Sequence, residues 1–377
     1  MKAVLVFVLM MFVASVNAQN YISEKTYRNT SLDFNTDAAS IAMGESFVAA
    51  LSKEKSFFEN PAAVAGRNTF SAFYNYRSHG WNDVIKDAKY ISAGVALPLK
   101  HGNFGFSFNQ YSSGEYVLTA EGGKSTDKNT TLALSYSHNI IRNFSAGVSV
   151  KIFNRDLTST TPGIYEISSN NAFLFDAGLI YTFPNLIDTE EMVSDLSLGL
   201  SLQNFGTKYE EEHKFIFNET YEVTLPQYLR AGFAYESNLI LGRLTRFEID
   251  LLVTGEYKSL INPSEAEKND VDYWSGGIEA TFFKIVSVRA GFLNSPEYSV
   301  LFDRKEFNWR YGAGLKIPMA IMGLKHPVVI KFDYSIIPVN SIEYLVVNPE
   351  TPSEPIRNVK TKNHLYSFGV TLSYAVK

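Results

Sequence analysis

Cysteine is absent from the 377 residues, which removes disulfides, thiolate nucleophiles, cysteine-based zinc sites and a lipoprotein anchor at once. No apolar run of ~18 residues lies beyond the N-terminus, so the sequence holds no membrane-spanning helix. Basic clusters are missing as well, and the net charge of -5 argues against nucleic acid as a partner. Histidine is scarce: His79, His101, His138, His213, His326 and His364 fall in expected loops, turns or at a strand end, and no pair has metal-ligand spacing. Acyl hydrolysis needs a nucleophile held by a base, and no Gly-x-Ser-x-Gly elbow accompanies these histidines. With neither a P-loop nor a dinucleotide fingerprint, the sequence offers no catalytic residue, no cofactor site and no metal site. Glu210-Glu211-Glu212-His213 reads as a solvated charge run on an external loop in preference to a weak divalent-cation site.

Aromatic side chains are plentiful instead, at 14% with Tyr 22 and Phe 28, an excess suited to ring girdles at two membrane interfaces. Lys2 precedes an apolar run from Ala3 to Ala14, and Val16-Asn17-Ala18 suits signal peptidase. Residues 1–18 therefore read as a cleaved signal peptide, with the exported protein starting at Gln19.

From Thr69 onward the sequence breaks into alternating segments of about ten residues, the length a tilted strand needs to cross a bilayer. About fourteen are expected, near 69–77, 88–99, 103–112, 129–138, 143–154, 172–182, 195–205, 227–236, 245–257, 272–281, 284–294, 308–317, 327–336 and 365–375. Connections after even-numbered strands are short, with 183–194 the longest, and those after odd-numbered strands are long, including 206–226 and 337–364. A transmembrane barrel has short periplasmic turns and long external loops, whereas a soluble sandwich has no reason to keep that alternation. The fold class is therefore all-β, a transmembrane antiparallel β-barrel of about fourteen strands over residues 69–377.

Charge placement agrees with this reading. Glu248 and Asp250 oppose Phe247, Ile249 and Leu251; Arg289 opposes Val286, Val288 and Phe292; Arg310 opposes Trp309 and Tyr311; Asp333 opposes Phe332 and Tyr334. Glu279 also falls on the less apolar face, so these six side chains are expected in the lumen, where none faces lipid at a cost of ~2–4 kcal/mol. Glu279 and Arg289 on adjacent strands suggest a lumenal ion pair that holds register or docks an inner element.

Residues 19–68 lack alternation, and the small-residue-rich stretch from Ala38 to Leu51 reads as helical. A barrel this wide has a lumen that is open or filled, so these residues are expected to fold inward as a plug. At the other end, Ser367-x-Gly369-x-x-Leu372-x-Tyr374 resembles the C-terminal signal read by the barrel-assembly machinery, although Ala375-Val376-Lys377 follow it.

Ala42-Met43-Gly44-Glu45, followed by Asn60-Pro61-Ala62-Ala63, resembles the opening signature of the PorV/PorQ family within the wider FadL-like barrel group. Glu45 stands where that family has a second glycine, and Ala63 where its last glycine is common. Leu198 to Gly206, Arg230-Ala231-Gly232-Phe233, Gly277-Ile278-Glu279, Val288-Arg289-Ala290-Gly291-Phe292, Asp333-Tyr334 and His364-Leu365-Tyr366-Ser367 extend the resemblance along the chain. The resemblance implies an outer-membrane protein of a Gram-negative, Bacteroidetes-like bacterium. It would act as a non-enzymatic accessory or cargo-handling component of type IX protein secretion. Its partners would be outer-membrane lipids, the barrel-assembly machinery and either translocon components or secreted cargo. Phe215, Ile216, Phe217, Tyr344, Leu345 and Val346 are the candidate loop contacts. The alternative is FadL-like uptake of a hydrophobic small molecule. Mixed-sign lumenal charge tilts the sequence toward a closed platform, since a hydrophobic conduit should present more apolar inward positions.

Overall fold

Alternating side chains let one face of a strand meet an apolar medium while the other turns inward. In the computed structural model this produces fourteen long strands: β1 (Thr69–Ser78), β2 (Lys89–Leu99), β3 (Gly102–Ser112), β4 (Lys124–Ile141), β5 (Phe144–Ser159), β6 (Ala172–Asp188), β7 (Met192–Gly206), β8 (Tyr228–Leu241), β9 (Phe247–Leu260), β10 (Asp272–Phe282), β11 (Val286–Asn294), β12 (Asn308–Pro318), β13 (Val328–Pro338) and β14 (His364–Ala375). The structure describes residues 32, 35–51, 58–65, 69–78, 87–117, 124–159, 166–207, 209–214, 218–242, 247–262, 272–294, 308–323, 327–338, 343–347, 355–360 and 364–375. The expected signal peptide, residues 1–18, lies outside them.

Each strand pairs antiparallel with its neighbours in order. The cylinder closes where β14 pairs with β13 on one side, Ser335↔Ser367, and with β1 on the other, Ser71↔Ser373. Closure satisfies every edge, which a bilayer core without water demands. Short connections (100–101, 142–143, 189–191, 242–246, 283–285 and 319–327) alternate with long ones (79–88, 113–123, 160–171, 207–227, 261–271, 295–307 and 339–363).

Several boundaries differ from the sequence reading, among them the start of β4 at Lys124 and the end of β8 at Leu241, and two spans differ most. The span 183–194 is mostly strand, because β6 runs on past Pro184 through a register shift between Phe183 and Ile187, with Asn185 at φ 53°. The span 206–226 holds a ribbon, Tyr209–Lys214 against Asn218–Val223, whose first strand also pairs with Glu166–Ser169. Strands β4 to β9 span 14–18 residues, more than a bilayer crossing needs, so this side of the wall projects beyond the membrane band.

The outer face is apolar, with Trp274, Trp309, Tyr311, Phe332, Tyr334 and Phe368 all exposed there. Aromatic pairs band both ends: Tyr257 with Trp274 and Tyr76 with Phe368 toward the long connections, Phe247 with Phe283 and Phe144 with Tyr181 toward the short turns. Leu372 and Tyr374 of the closing strand point outward, while Ser367 is buried against Ser335 and Gly369 pairs with Asn75 and Asp333.

Candidate functional site

Residues 35–51 and 58–65 lie inside the cylinder. A one-turn helix, Ala38–Ala42, is capped by Asp37, whose carboxylate accepts from the Ala39 and Ser40 amides at 3.4 and 3.3 Å. It packs on β11 to β14 and β1, while a 3-10 turn, Pro61–Val64, packs on β3 to β6 across the lumen. Small side chains make this possible, because a helix of Ala and Ser brings backbone to backbone. The wall answers with glycine: a methyl at Gly277 would come within 2.6 Å of the Met43 Cα, and at Gly291 within 2.5 Å of the Gly44 amide. On the far side, a methyl at Gly178 would overlap the Asn60 carboxamide and one at Gly147 the Pro61 backbone. Asn60 itself donates to Val48 O at 2.8 Å, Leu179 O at 3.2 Å and Leu200 O at 3.3 Å, tying the inner segment to β6 and β7. Ala42, Met43, Gly44, Asn60 and Pro61 thus sit at the two contacts between inner segment and wall.

The described inner segment carries three acidic residues, Asp37, Glu45 and Glu59, and arginines on the wall meet two of them. Glu45 Oε1 accepts from Arg310 of β12 at 2.6 Å and from Arg77 of β1 at 3.3 Å, both guanidinium groups being fully buried. Its φ of 61° is the left-handed conformation of a glycine, so the side chain is held where the backbone is strained by about 1–2 kcal/mol. Burial opposes the Glu45 charge, but Arg310 and Arg77 outweigh it and hold the carboxyl below its ordinary value. Glu59 receives Ser40 and Asn35 on Oε1, and the Phe47 amide at 2.6 Å with Arg230 at 3.3 Å on Oε2. Arg230 of β8 also donates to Glu256 at 2.5 Å and to Glu45 O at 2.9 Å, and Glu256 accepts from the Val48 amide at 3.0 Å.

Burial pushes Glu59 up to about 8; Arg230 opposes this and the nearby Glu256 carboxylate adds to it. A folded-state value above the ordinary 4.5 means that the proton favours the seated segment. That contribution is complete below about 4.5 and is lost as pH rises through about 8. Limited proteolysis of residues 35–65 should therefore accelerate between pH 6 and pH 9, and Glu59→Gln, which copies the protonated form, should flatten that dependence. An unchanged pH profile in the variant would assign the effect to another group.

Not every lumenal charge joins this clamp. Arg289 reaches from β11 to Glu279 on β10 and, passing over Gly314 of β12, to Asp333 on β13 at 3.0 Å. This stitches four strands, β10 to β13. Arg289→Met leaves two buried carboxylates without their common cation and should cost about 3–5 kcal/mol of barrel stability, read as a lower urea midpoint. Glu248 pairs with Lys284 at 3.0 Å on the short-turn rim, and Asp250 accepts from Asn238 at 2.5 Å.

Sequence reasoning missed the roles of Glu45, Glu59 and Arg77. The signal available was an isolated acid inside a run of alanines, which a buried segment tolerates only with a cation opposite. Glu210 to His213 are not a solvated charge run either. Strand alternation turns Glu211 inward, fully buried, where it accepts from Arg155 at 3.2 Å and contacts His213 at 2.9 Å and Tyr209 at 3.0 Å. Of the candidate loop contacts, Phe215, Ile216 and Phe217 lie outside the described residues, and 344–346 belong to a ribbon pairing Glu343–Val347 with Pro355–Lys360.

The lumen also differs from the sequence expectation above the clamp. At the long-connection end its lining is apolar: Phe153, Leu174, Tyr228, Leu260, Tyr273, Leu293, Ile337 and Leu365 all point inward and are buried. Eight of the fourteen strands contribute one such residue each near an outer end, so no single segment advertises the ring. Lys258 lies beneath it with its ammonium 3.8 Å from the Tyr228 ring centre.

No protein-family model matches the sequence, and no curated protein resembles it. Solved structures do. A TodX monoaromatic hydrocarbon channel variant aligns over 91% of this chain and 100% of its own, with TM-score 0.50 at 11% identity. The Ralstonia pickettii toluene transporter TbuX aligns over 90% and 98% with TM-score 0.47 at 12% identity, and a Pseudomonas aeruginosa FadL homologue over 94% and 100% with TM-score 0.44 at 12% identity. At such identity the likeness concerns the fold alone: this chain is a closed fourteen-stranded antiparallel barrel, a fold similar to that of the TodX channel variant.

Proposed function

We propose that the chain is an outer-membrane channel of the FadL type that takes up a hydrophobic small molecule at its long-loop end, with residues 35–65 as the plug that gates it. The observation that carries this reading is the ring of inward apolar side chains directly above the charged clamp. A lumen serving only as a closed platform has no need of buried Phe, Tyr and Leu on the face turned away from lipid. Ile41 of the inner helix packs on Ile337 and Leu365 of this ring, so displacing the inner segment would free a dry apolar surface for a ligand. The barrel fold shared with the TodX hydrocarbon channel supports the same reading.

Gentle extraction of the protein from outer membranes, followed by mass spectrometry of what co-purifies, tests it. A bound apolar compound is expected, at near-unit occupancy in the wild type and lost in Leu293→Glu, which puts a charge into the ring. Recovery of a large translocon barrel or of secreted proteins, with no small molecule, would overturn it.

That outcome would favour the second reading, the accessory role in type IX secretion implied by the PorV/PorQ resemblance. One observation supports it: the projecting wall of β4 to β9, stiffened by the 209–214 and 218–223 ribbon, is a rigid surface beyond the membrane band suited to holding another protein.

A further inference from the structure

Below the clamp, at the short-turn end, the lumen widens into a cavity of about 350 Å³. Its lining is sorted by charge. Asp195 of β7 and Glu236 of β8 are direct cross-strand neighbours, with Asp250 of β9 beside them. Lys316 of β12 and Lys331 of β13 are likewise direct cross-strand neighbours. Between the two walls stands the Glu279–Arg289 pair of β10 and β11.

Like charges directly opposite on adjacent strands destabilise a sheet, and here it happens twice with opposite sign. Interchanging Glu236 and Lys316 would remove both costs, yet the lumen keeps its acids on one side and its lysines on the other. Some of these groups have local partners: Asp195 accepts from the Asn185 amide at 2.8 Å, Asp250 from Asn238 at 2.5 Å, and Lys331 lies 3.5 Å from Asp333. These contacts orient the side chains and leave the sorting in place. Opposed walls of fixed charge around a small cavity create a transverse field, which orients any molecule carrying separated charges.

We infer that this cavity binds a small zwitterion, its ammonium against Asp195 and Glu236 and its carboxylate against Lys316 and Lys331. The site is independent of what passes the plug, so either function above can fail without affecting it. A ligand with one charge meets one attractive wall and one repulsive wall. A ligand with both, several bonds apart, meets two attractive ones.

The test is calorimetric titration of the full chain in non-ionic detergent with 6-aminohexanoate, hexanoate and hexylamine, each corrected for binding to empty micelles. Saturable binding of 6-aminohexanoate is expected, roughly tenfold or more tighter than either singly charged analogue and weakened by salt. The pairs Lys316→Gln with Lys331→Gln, and Asp195→Asn with Glu236→Gln, should each reduce its affinity about tenfold. Heat-modifiable migration checks that each variant is a folded barrel, and the comparison of analogues on the wild type needs no variant at all. Hexanoate binding as tightly as 6-aminohexanoate, or no saturable binding of the zwitterion to the intact protein, would overturn the inference.

Discussion

Replacing Glu45 with Ala should leave the barrel closed but unseat its plug. Arg77 and Arg310 are both fully buried and share the Glu45 carboxylate, so its removal leaves two guanidinium groups facing a segment that no longer compensates them. Removing one partner of a buried ion pair costs about 3–5 kcal/mol, because the remaining charge stays desolvated. Part of that returns as relief for the plug, whose residue 45 sits at φ 61° only while the arginines hold it. In planar bilayers the open fraction of the channel should rise by about two to three orders of magnitude, with heat-modifiable migration unchanged. Glu45→Gly separates the two contributions. It removes the same carboxylate yet accepts the left-handed backbone, so its plug should be bound more firmly than that of Glu45→Ala by about 1 kcal/mol. Equal open fractions in the two variants would mean that backbone strain plays no part. A closed Glu45→Ala channel would mean that Arg230 and Glu59 suffice to hold the segment.

Gly291→Val, combined with Gly277→Val, is expected to be as disruptive from the other side of the contact. Both positions face the plug where its backbone lies against the wall, and any Cβ there meets Met43 or Gly44 main-chain atoms, which cannot rotate away. Overpacking of this kind typically costs 1–3 kcal/mol per site and more where backbone is struck, so the plug should not seat. The strands themselves tolerate valine, a good strand former, and barrel stability should change little. Thermolysin, which cuts before apolar residues, should then cleave at the buried Ile41, Phe47 and Val48 of the double variant while sparing these sites in the wild type. Wild-type protection of that segment would show that the plug can shift to make room. The same substitution at Gly276, which faces outward beneath the Phe292 ring, is the matched control. It adds bulk to the same strand without touching the plug.

The two variants probe interactions of different origin. Glu45 and its arginines act through charge and lose force as the site hydrates; the glycine contacts act through shape and do not. Salt should therefore narrow the difference between wild type and Glu45→Ala, and only once the plug has opened to water, since a buried pair is poorly screened.

Much of the fold was legible in the sequence, because a strand declares its faces locally. The alternation around Arg289 is enough to say that Val286, Val288 and Phe292 share one face and Arg289 the other, whichever strands lie beside them. The alternating short and long connections, and a last strand whose small inward Ser367 and Gly369 face away from Leu372 and Tyr374, carry the closure of the cylinder. Extension of β6 past Pro184 was not legible, since proline ordinarily ends a strand and only the bulge at Asn185 reconciles the two.

The tertiary structure alone decided what the lumen contains. Arg310 lies 265 residues from Glu45, and Arg230 lies 171 from Glu59, separations over which no local pattern speaks. Their meeting depends on barrel diameter, strand register and the depth to which a small-residue helix sinks against glycine. The apolar ring is hidden for the same reason: one Tyr273 or Leu293 at a strand end is unremarkable in its own segment, and gains meaning only when the sheet brings it against Tyr228 and Leu260 of neighbouring strands. Local chemistry fixes which side of a strand is wet, whereas the sum over strands that makes a buried clamp, an apolar lining or a sorted charge field exists only once the sheet has closed on itself.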